Sequence, residues 1–266
     1  MAMTRRQRIR VIRAIQYGIF VLVVVVLAFT ANWTKIQQAF FDLEVARDQF
    51  PEVITVGLKN TVIYTALGFV FGLGLGLVIA LMRLSGVGLY RWIGRIYIEF
   101  FRGLPALLVI LAVGTGVPLA FAGTQINRYV ALMVALGLVS AAYMGEVIRA
   151  GIMAVPRGQV EAARSLGMSP ARTMIWIVIP QAFKIVLPPL TNDLILLTKD
   201  SSLALFLGST VAQQELTQFG RQALNQSRSM TPVLVAGLCY LIITIPLSLL
   251  SNRLEKRYGA GIGGKP

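Results

Sequence analysis

An all-helical chain embedded in a membrane, crossing it six times with both termini on the cytoplasmic side, is the fold this sequence predicts. Three observations carry that expectation. Of the 266 residues, 56% are hydrophobic and the mean hydropathy is +0.72. Charged residues make up only 14%, where a soluble domain carries about 25%. Apolar runs near the ~20 residues that span a bilayer recur along the chain, and Lys and Arg collect in alternate connecting segments.

Residues 1–14 are basic, with Arg5, Arg6, Arg8, Arg10 and Arg13, and an apolar run follows over 15–31. A cleaved signal peptide is the competing reading. Ala28-Phe29-Thr30-Ala31-Asn32 makes a poor cleavage site, so a retained first span is expected. Residues 32–52 are polar, with Asp42, Glu44, Asp48 and Glu52. The second span covers about 53–82. Its small residues Gly57, Thr61, Thr65, Gly68, Gly72, Gly76 and Ala80 recur every three or four positions, a narrow seam for close helix packing. A third span is expected over about 96–120, a fourth over 129–148, a fifth after Pro188-Pro189 to about 207 and a sixth over 232–250. The tail is basic, with Arg253, Lys256, Arg257 and Lys265.

Charge fixes the orientation. With the N-terminus inside, outer segments hold only Lys35, Arg47, Arg128, Arg221 and Arg228, and Lys59, Arg102 and Lys199 fall within spans; every other one of the 25 basic residues is cytoplasmic. The same placement explains the net charge of +14 without nucleic acid. A single cysteine, Cys239, excludes a disulfide framework, and the absence of histidine removes the commonest acid–base and metal-binding side chain. No metal-ligand spacing appears.

Between the fourth and fifth spans lies a polar hinge. Arg157, Glu161 and Arg164 share one helical face, where Arg157 is placed to pair with Glu161; Val160, Ala163 and Leu166 form the other. Gly167 ends this helix, Ser169 caps the next and Pro170 opens it, which is expected to run as far as Val178, before Pro180. Inside the spans, Glu99, Arg102, Glu146, Asp193, Lys199 and Asp200 are costly in lipid and need partners or water. Glu99 with Arg102, and Glu146 with Arg149, are spaced to pair. Such groups either fasten helices together or line a path.

Glu161-Ala162-Ala163, then Gly167, then Ile177 and Ile179-Pro180 resemble the EAA motif of ABC-transporter permease subunits, with Ile179 where Leu is usual. Glu99-Phe100-Phe101-Arg102-Gly103-Leu104-Pro105, Ala142-Tyr143-Met144-Gly145-Glu146, Leu187-Pro188-Pro189-Leu190-Thr191-Asn192 and Lys199-Asp200-Ser201-Ser202-Leu203 are similar to stretches of the polar amino-acid uptake members. With Gly57-Leu58-Lys59-Asn60-Thr61 the match covers roughly residues 53–250. Leu104 replaces a usual Thr, Val109 a frequent Gln, and the segment 208–215 is longer than its counterpart.

The resemblance implies a five-helix type I importer core at 53–251, with coupling helices at about 155–180. An extra N-terminal helix and external linker (1–52) and a basic cytoplasmic tail (252–266) flank it. It implies an ATPase subunit docked on Arg157, Glu161, Ala162, Ala163 and Gly167. It also implies a second permease copy or a homologous permease, an extracytoplasmic substrate-binding protein and an amino-acid substrate. Candidates for the path or its gating are Glu99, Arg102, Glu146, Asn192, Lys199, Asp200 and Ser201; Gly68, Gly72 and Gly76 are assigned to packing. The expected location is the bacterial plasma (inner) membrane. No catalytic, metal or cofactor site is expected on the chain, with ATP and Mg on the partner. Gly259–Pro266 looks superficially like a P-loop, but Pro266 stands where a magnesium-binding Ser or Thr is needed. An ion-coupled carrier or a channel without an ATPase is the alternative; neither has a use for the hinge.

Overall fold

The computed structural model describes residues 5–121, 123 and 126–258; the glycine-rich stretch 259–266, with Lys265, lies outside them. The described residues form helices and connections, with no strand among them. In order these are α1 (Arg5–Thr30), α2 (Trp33–Phe40), α3 (Leu43–Arg47), α4 (Val53–Leu84), α5 (Gly88–Gly103), α6 (Ala106–Ala120), α7 (Arg128–Met153), α8 (Arg157–Ser165), α9 (Pro170–Phe206), α10 (Leu216–Ser227) and α11 (Thr231–Tyr258). Five of them, α1, α4, α7, α9 and α11, are long and apolar enough to cross a membrane; the bent pair α5–α6 makes a sixth if it counts as one span.

The core is the α4–α7 contact, with α9 packed on α7 and α11 on α9. The small-residue seam of α4 faces α7. A Cβ added at Gly76 would lie 3.0 Å from the Gly145 nitrogen and 3.1 Å from the Ala141 oxygen, so backbone meets backbone there. In lipid no hydrophobic effect drives helices together, and such close van der Waals packing takes its place. Tyr64, Ile110, Leu132, Leu136 and Leu197 fill the space beside the seam.

α7 leads out of the core to α8, and α9 leads back, so α8 marks one end of the bundle, the hinge end. At the far end, Val53 of α4 packs with Leu216 of α10 and Val235 of α11. The linker joins that end too: Met230 N–H donates to Ala39 O at 2.7 Å, and Asp42 N–H to Thr231 Oγ1 at 3.1 Å. α1 has no buried residue.

Two expectations about the spans are corrected. The third is not a straight helix over 96–120: α5 and α6 meet at a bend of 103°. Pro105 drives the preceding Leu104 into an extended conformation (φ −94°, ψ 137°), which the α-helix cannot accommodate. The hinge's second helix does not stop before Pro180 either; it continues through Pro180, Pro188 and Pro189 as the one helix α9. A widened turn precedes Pro180, with Ile179 N–H reaching back five residues to Met174 O, and such a turn absorbs a proline's missing donor and ring clash.

Candidate functional site

The hinge is built as a handle. α8 rests on the body through Val160 and Ala163, beside the buried cluster of Val155, Val178 and Ala182, while Arg157, Glu161, Ala162 and Arg164 are exposed. Its end is locked by a paired C-cap. Met168 N–H bonds Ala163 O at 3.1 Å and Gly167 N–H bonds Arg164 O at 3.0 Å, with Gly167 at φ +83°, which a side chain would strain. Ser169 Oγ then accepts from Arg172 N–H at 3.3 Å and Pro170 opens α9. Arg157 and Glu161 form no salt bridge; both are exposed, where such a pair contributes little. Leu166, expected on the inner face, is 85% exposed at the tip, because the cap turns the chain away from the body there.

α9 connects this handle to a half-open cavity of about 340 Å³ on the side of the bundle. Its walls are Leu104, Pro105 and Ala106 at the α5–α6 break, Leu136, Val139, Ser140 and Tyr143 of α7, and Asp193, Leu196, Leu197 and Asp200 of α9. Irregular backbone at membrane depth is tolerated where it lines such a space.

Of the sequence-predicted path residues, Asp200 alone lines this cavity. Arg102 is adjacent, its guanidinium 5.5 Å from the Tyr143 ring centre; it does not pair with Glu99, which is exposed. Glu146 and Arg149 form the one salt bridge found among the described residues, with Arg149 Nε 3.0 Å from Glu146 Oε2. Asn192 and Lys199 are exposed on another face of α9, and Ser201 is buried, its hydroxyl donating to Thr198 O at 2.7 Å. Gly68, Gly72 and Gly76 lie in the α4–α7 seam. Ser140 and Tyr143 were missed as cavity residues; only the turn imposed by Leu104-Pro105 brings the break opposite them.

The far end is held by buried polar groups that single-sequence reasoning also missed. Arg128, assigned to an outer loop, is buried and donates to Ala204 O (2.8 Å), Leu207 O (2.7 Å), Gly208 O and Gln218 Oε1 (2.9 Å). Its cation thus caps the carbonyl end of α9, where the helix dipole is negative. Asn60 donates to Ala212 O and Gln214 O at 2.8 and 2.9 Å, and the Tyr64 hydroxyl to Gln213 O at 2.7 Å. Glu215 caps α10, accepting from Thr217 and Gln218 N–H at 2.7 and 2.6 Å and from the Tyr240 hydroxyl at 2.8 Å. Burial pushes its carboxyl above the usual range, against those hydrogen bonds, which lower it.

Residues 72–260 match the family model described as binding-protein-dependent transport system inner membrane component. The chain belongs to that family. The permease is 35% identical to the arginine transport system permease protein ArtQ of Bacillus subtilis (strain 168), over 81% of this chain and 96% of that one. It is 31% identical to the glutamine transport system permease protein GlnP of Escherichia coli (strain K12), over 76% of this chain and 90% of that one. Among solved structures, the crystal structure of an amino acid ABC transporter with histidines superposes with a TM-score of 0.72 at 34% identity, covering 81% of this permease and 98% of that chain. A bacterial ABC transporter for the polysaccharide alginate shares the fold over 96% of this permease, with a TM-score of 0.62 at 12% identity.

Proposed function

We infer that this chain is the membrane-spanning permease subunit of an ATP-driven importer of amino acids, forming part of the translocation path and taking its motion from a separate ATPase. The carrying observation is that α9 runs unbroken from the hinge cap at Ser169 to the cavity wall at Asp193 and Asp200. At about 1.5 Å per residue such a helix is a rod of roughly 50 Å, so a push on α8 moves one wall of the cavity. The α5–α6 break supplies the other wall, and a change in their separation alters access to the space between them.

In this reading the ATPase holds ATP and Mg and grips Arg157, Glu161, Ala162 and the Leu166 tip. A second permease copy or a homologous permease completes the path, and an extracytoplasmic binding protein delivers substrate to the far end. The hinge end, rich in Arg149, Arg157, Arg164, Arg172 and Arg253, faces the cytoplasm of a bacterial plasma membrane. An ion-coupled carrier or channel is not favoured, since neither uses an exposed, doubly capped hinge. Copurification with the ATPase, followed by ATP-dependent amino-acid uptake into vesicles, tests the proposal. Glu161→Lys is expected to release the ATPase and abolish uptake; full uptake without ATP would overturn the reading.

A further inference from the structure

We propose that the arginine-rich start of α1 is a binding surface for anionic phospholipid, whose phosphates set the depth of that helix in the bilayer. The proposal rests on the reading that the N-terminus faces the cytoplasm. It adds a lipid partner that the permease role does not itself require.

No residue of α1 is buried, so packing against the body does little to fix its position. Arg5, Arg6, Arg8, Arg10 and Arg13 crowd its first turns and are all exposed. None joins the one salt bridge among the described residues, and α1 carries no Asp or Glu. Like charges four apart, as in Arg6 and Arg10, repel one another. The cluster therefore gains from anions set against it.

The arrangement suits a lipid surface better than a protein. Arg6, Arg10 and Arg13 share one helical face, while Arg5 and Arg8 point well away from it. The guanidiniums thus spread round more than half of the helix, with exposed Ile9, Val11 and Ile12 between them. A docked protein covers one face of a helix, whereas headgroups reach it from every side. They take the arginines at the level of the phosphates and leave the apolar side chains and arginine stems against acyl chains.

Length points the same way. No charge lies between Arg13 and Lys35. The helical part of that stretch, residues 14–30, is roughly 25 Å long at about 1.5 Å per residue, short of a hydrocarbon core of about 30 Å. A span shorter than the core thins the bilayer around it and draws headgroups toward its ends. Exposed Trp33 marks the outer interface. At the inner end Arg10 and Arg13 come to the phosphates, which a guanidinium grips with paired hydrogen bonds.

The test uses the full chain with its ATPase in nanodiscs of phosphatidylcholine containing a minority of phosphatidylglycerol. Ile9→Cys, in a Cys239→Ser background, carries a fluorophore. Its quenching by brominated phosphatidylglycerol is compared with quenching by brominated phosphatidylcholine. Phe29→Cys, at the other end of α1, is the control. The anionic lipid is expected to be preferred about fivefold or more at Ile9 and not at Phe29. Arg10→Gln with Arg13→Gln leaves Arg5, Arg6 and Arg8 to hold the orientation, and is expected to cut the preference several-fold. Arg10→Lys with Arg13→Lys is expected to keep most of it. Size-exclusion profile and retained ATPase report the fold. Equal quenching by the two lipids at Ile9, the same preference at Phe29, or a preference untouched by the paired Gln substitutions would overturn the inference and leave the permease reading standing. Labelling of Ile9→Cys by an impermeant maleimide in right-side-out vesicles would instead defeat the orientation, and this inference with it.

Discussion

The two ends of the bundle are fastened by different physics. At the hinge end α8 is held by Val160 and Ala163 resting beside Val155, Val178 and Ala182, with its charges in solvent. At the far end Arg128, Asn60, Tyr64 and Glu215 tie residues 204–218 to α4, α7 and α11 through buried hydrogen bonds. Apolar contact is non-directional and lets a helix roll or slide, whereas buried charge-assisted bonds fix one geometry and penalise its loss. The difference describes a lever: α9 is anchored where Arg128 grips its carbonyl end and is free to be moved where α8 stands out.

That contrast can be broken from either side. The largest effect belongs to Arg128→Met, which removes the donor to the Leu207 and Gly208 carbonyls and one of the two donors to Ala204 O. At about 1.5–3 kcal/mol for a hydrogen bond to a charged group, the loss of several at once is read as a large fall in the thermal unfolding midpoint in detergent. Next comes Gly76→Leu in the α4–α7 seam, where added bulk meets the Gly145 and Ala141 backbone; about 1–3 kcal/mol or more is expected from overpacking. Glu215→Gln is milder and sharpens the comparison through pH. The folded-state carboxyl is raised above its unfolded value, so its contribution is fully present below the ordinary carboxylate range and is lost as pH rises through the folded value. Wild type should therefore lose more unfolding stability than Glu215→Gln on moving from about pH 4 to neutrality. The smallest stability effect belongs to the hinge itself. Glu161→Ala should change stability by no more than about 0.5 kcal/mol, yet copurified ATPase should fall sharply.

Much of this was legible in the residues. The apolar runs marked the spans, the small residues of α4 marked its packed face, and Gly167, Ser169 and Pro170 announced the hinge caps because each acts on backbone within a few positions. What escaped depends on distance or compensation. Arg128 meets Ala204 and Gln218 from 76 and 90 residues away, and no local pattern encodes such a meeting. Pro180 reads as a helix end; the widened turn at Met174–Val178 that cancels it leaves no mark in residue type. Leu104-Pro105 did carry a signal, since a residue before proline avoids the helical region, but span length outweighed it. The cavity followed from that bend, so its Ser140 and Tyr143 were hidden until the bend was seen.

The lever is tested most directly by asking whether the hinge moves the cavity. Ser140→Cys, in a Cys239→Ser background that removes the one native thiol, places a reactive group on the cavity wall. Its alkylation by a water-soluble maleimide is followed in the reconstituted complex with ATP, with ATP plus vanadate, and without nucleotide. The account predicts a rate that changes several-fold with nucleotide state, and a change that disappears when Glu161→Lys is added. A rate indifferent to nucleotide, or a nucleotide effect that survives Glu161→Lys, would contradict it.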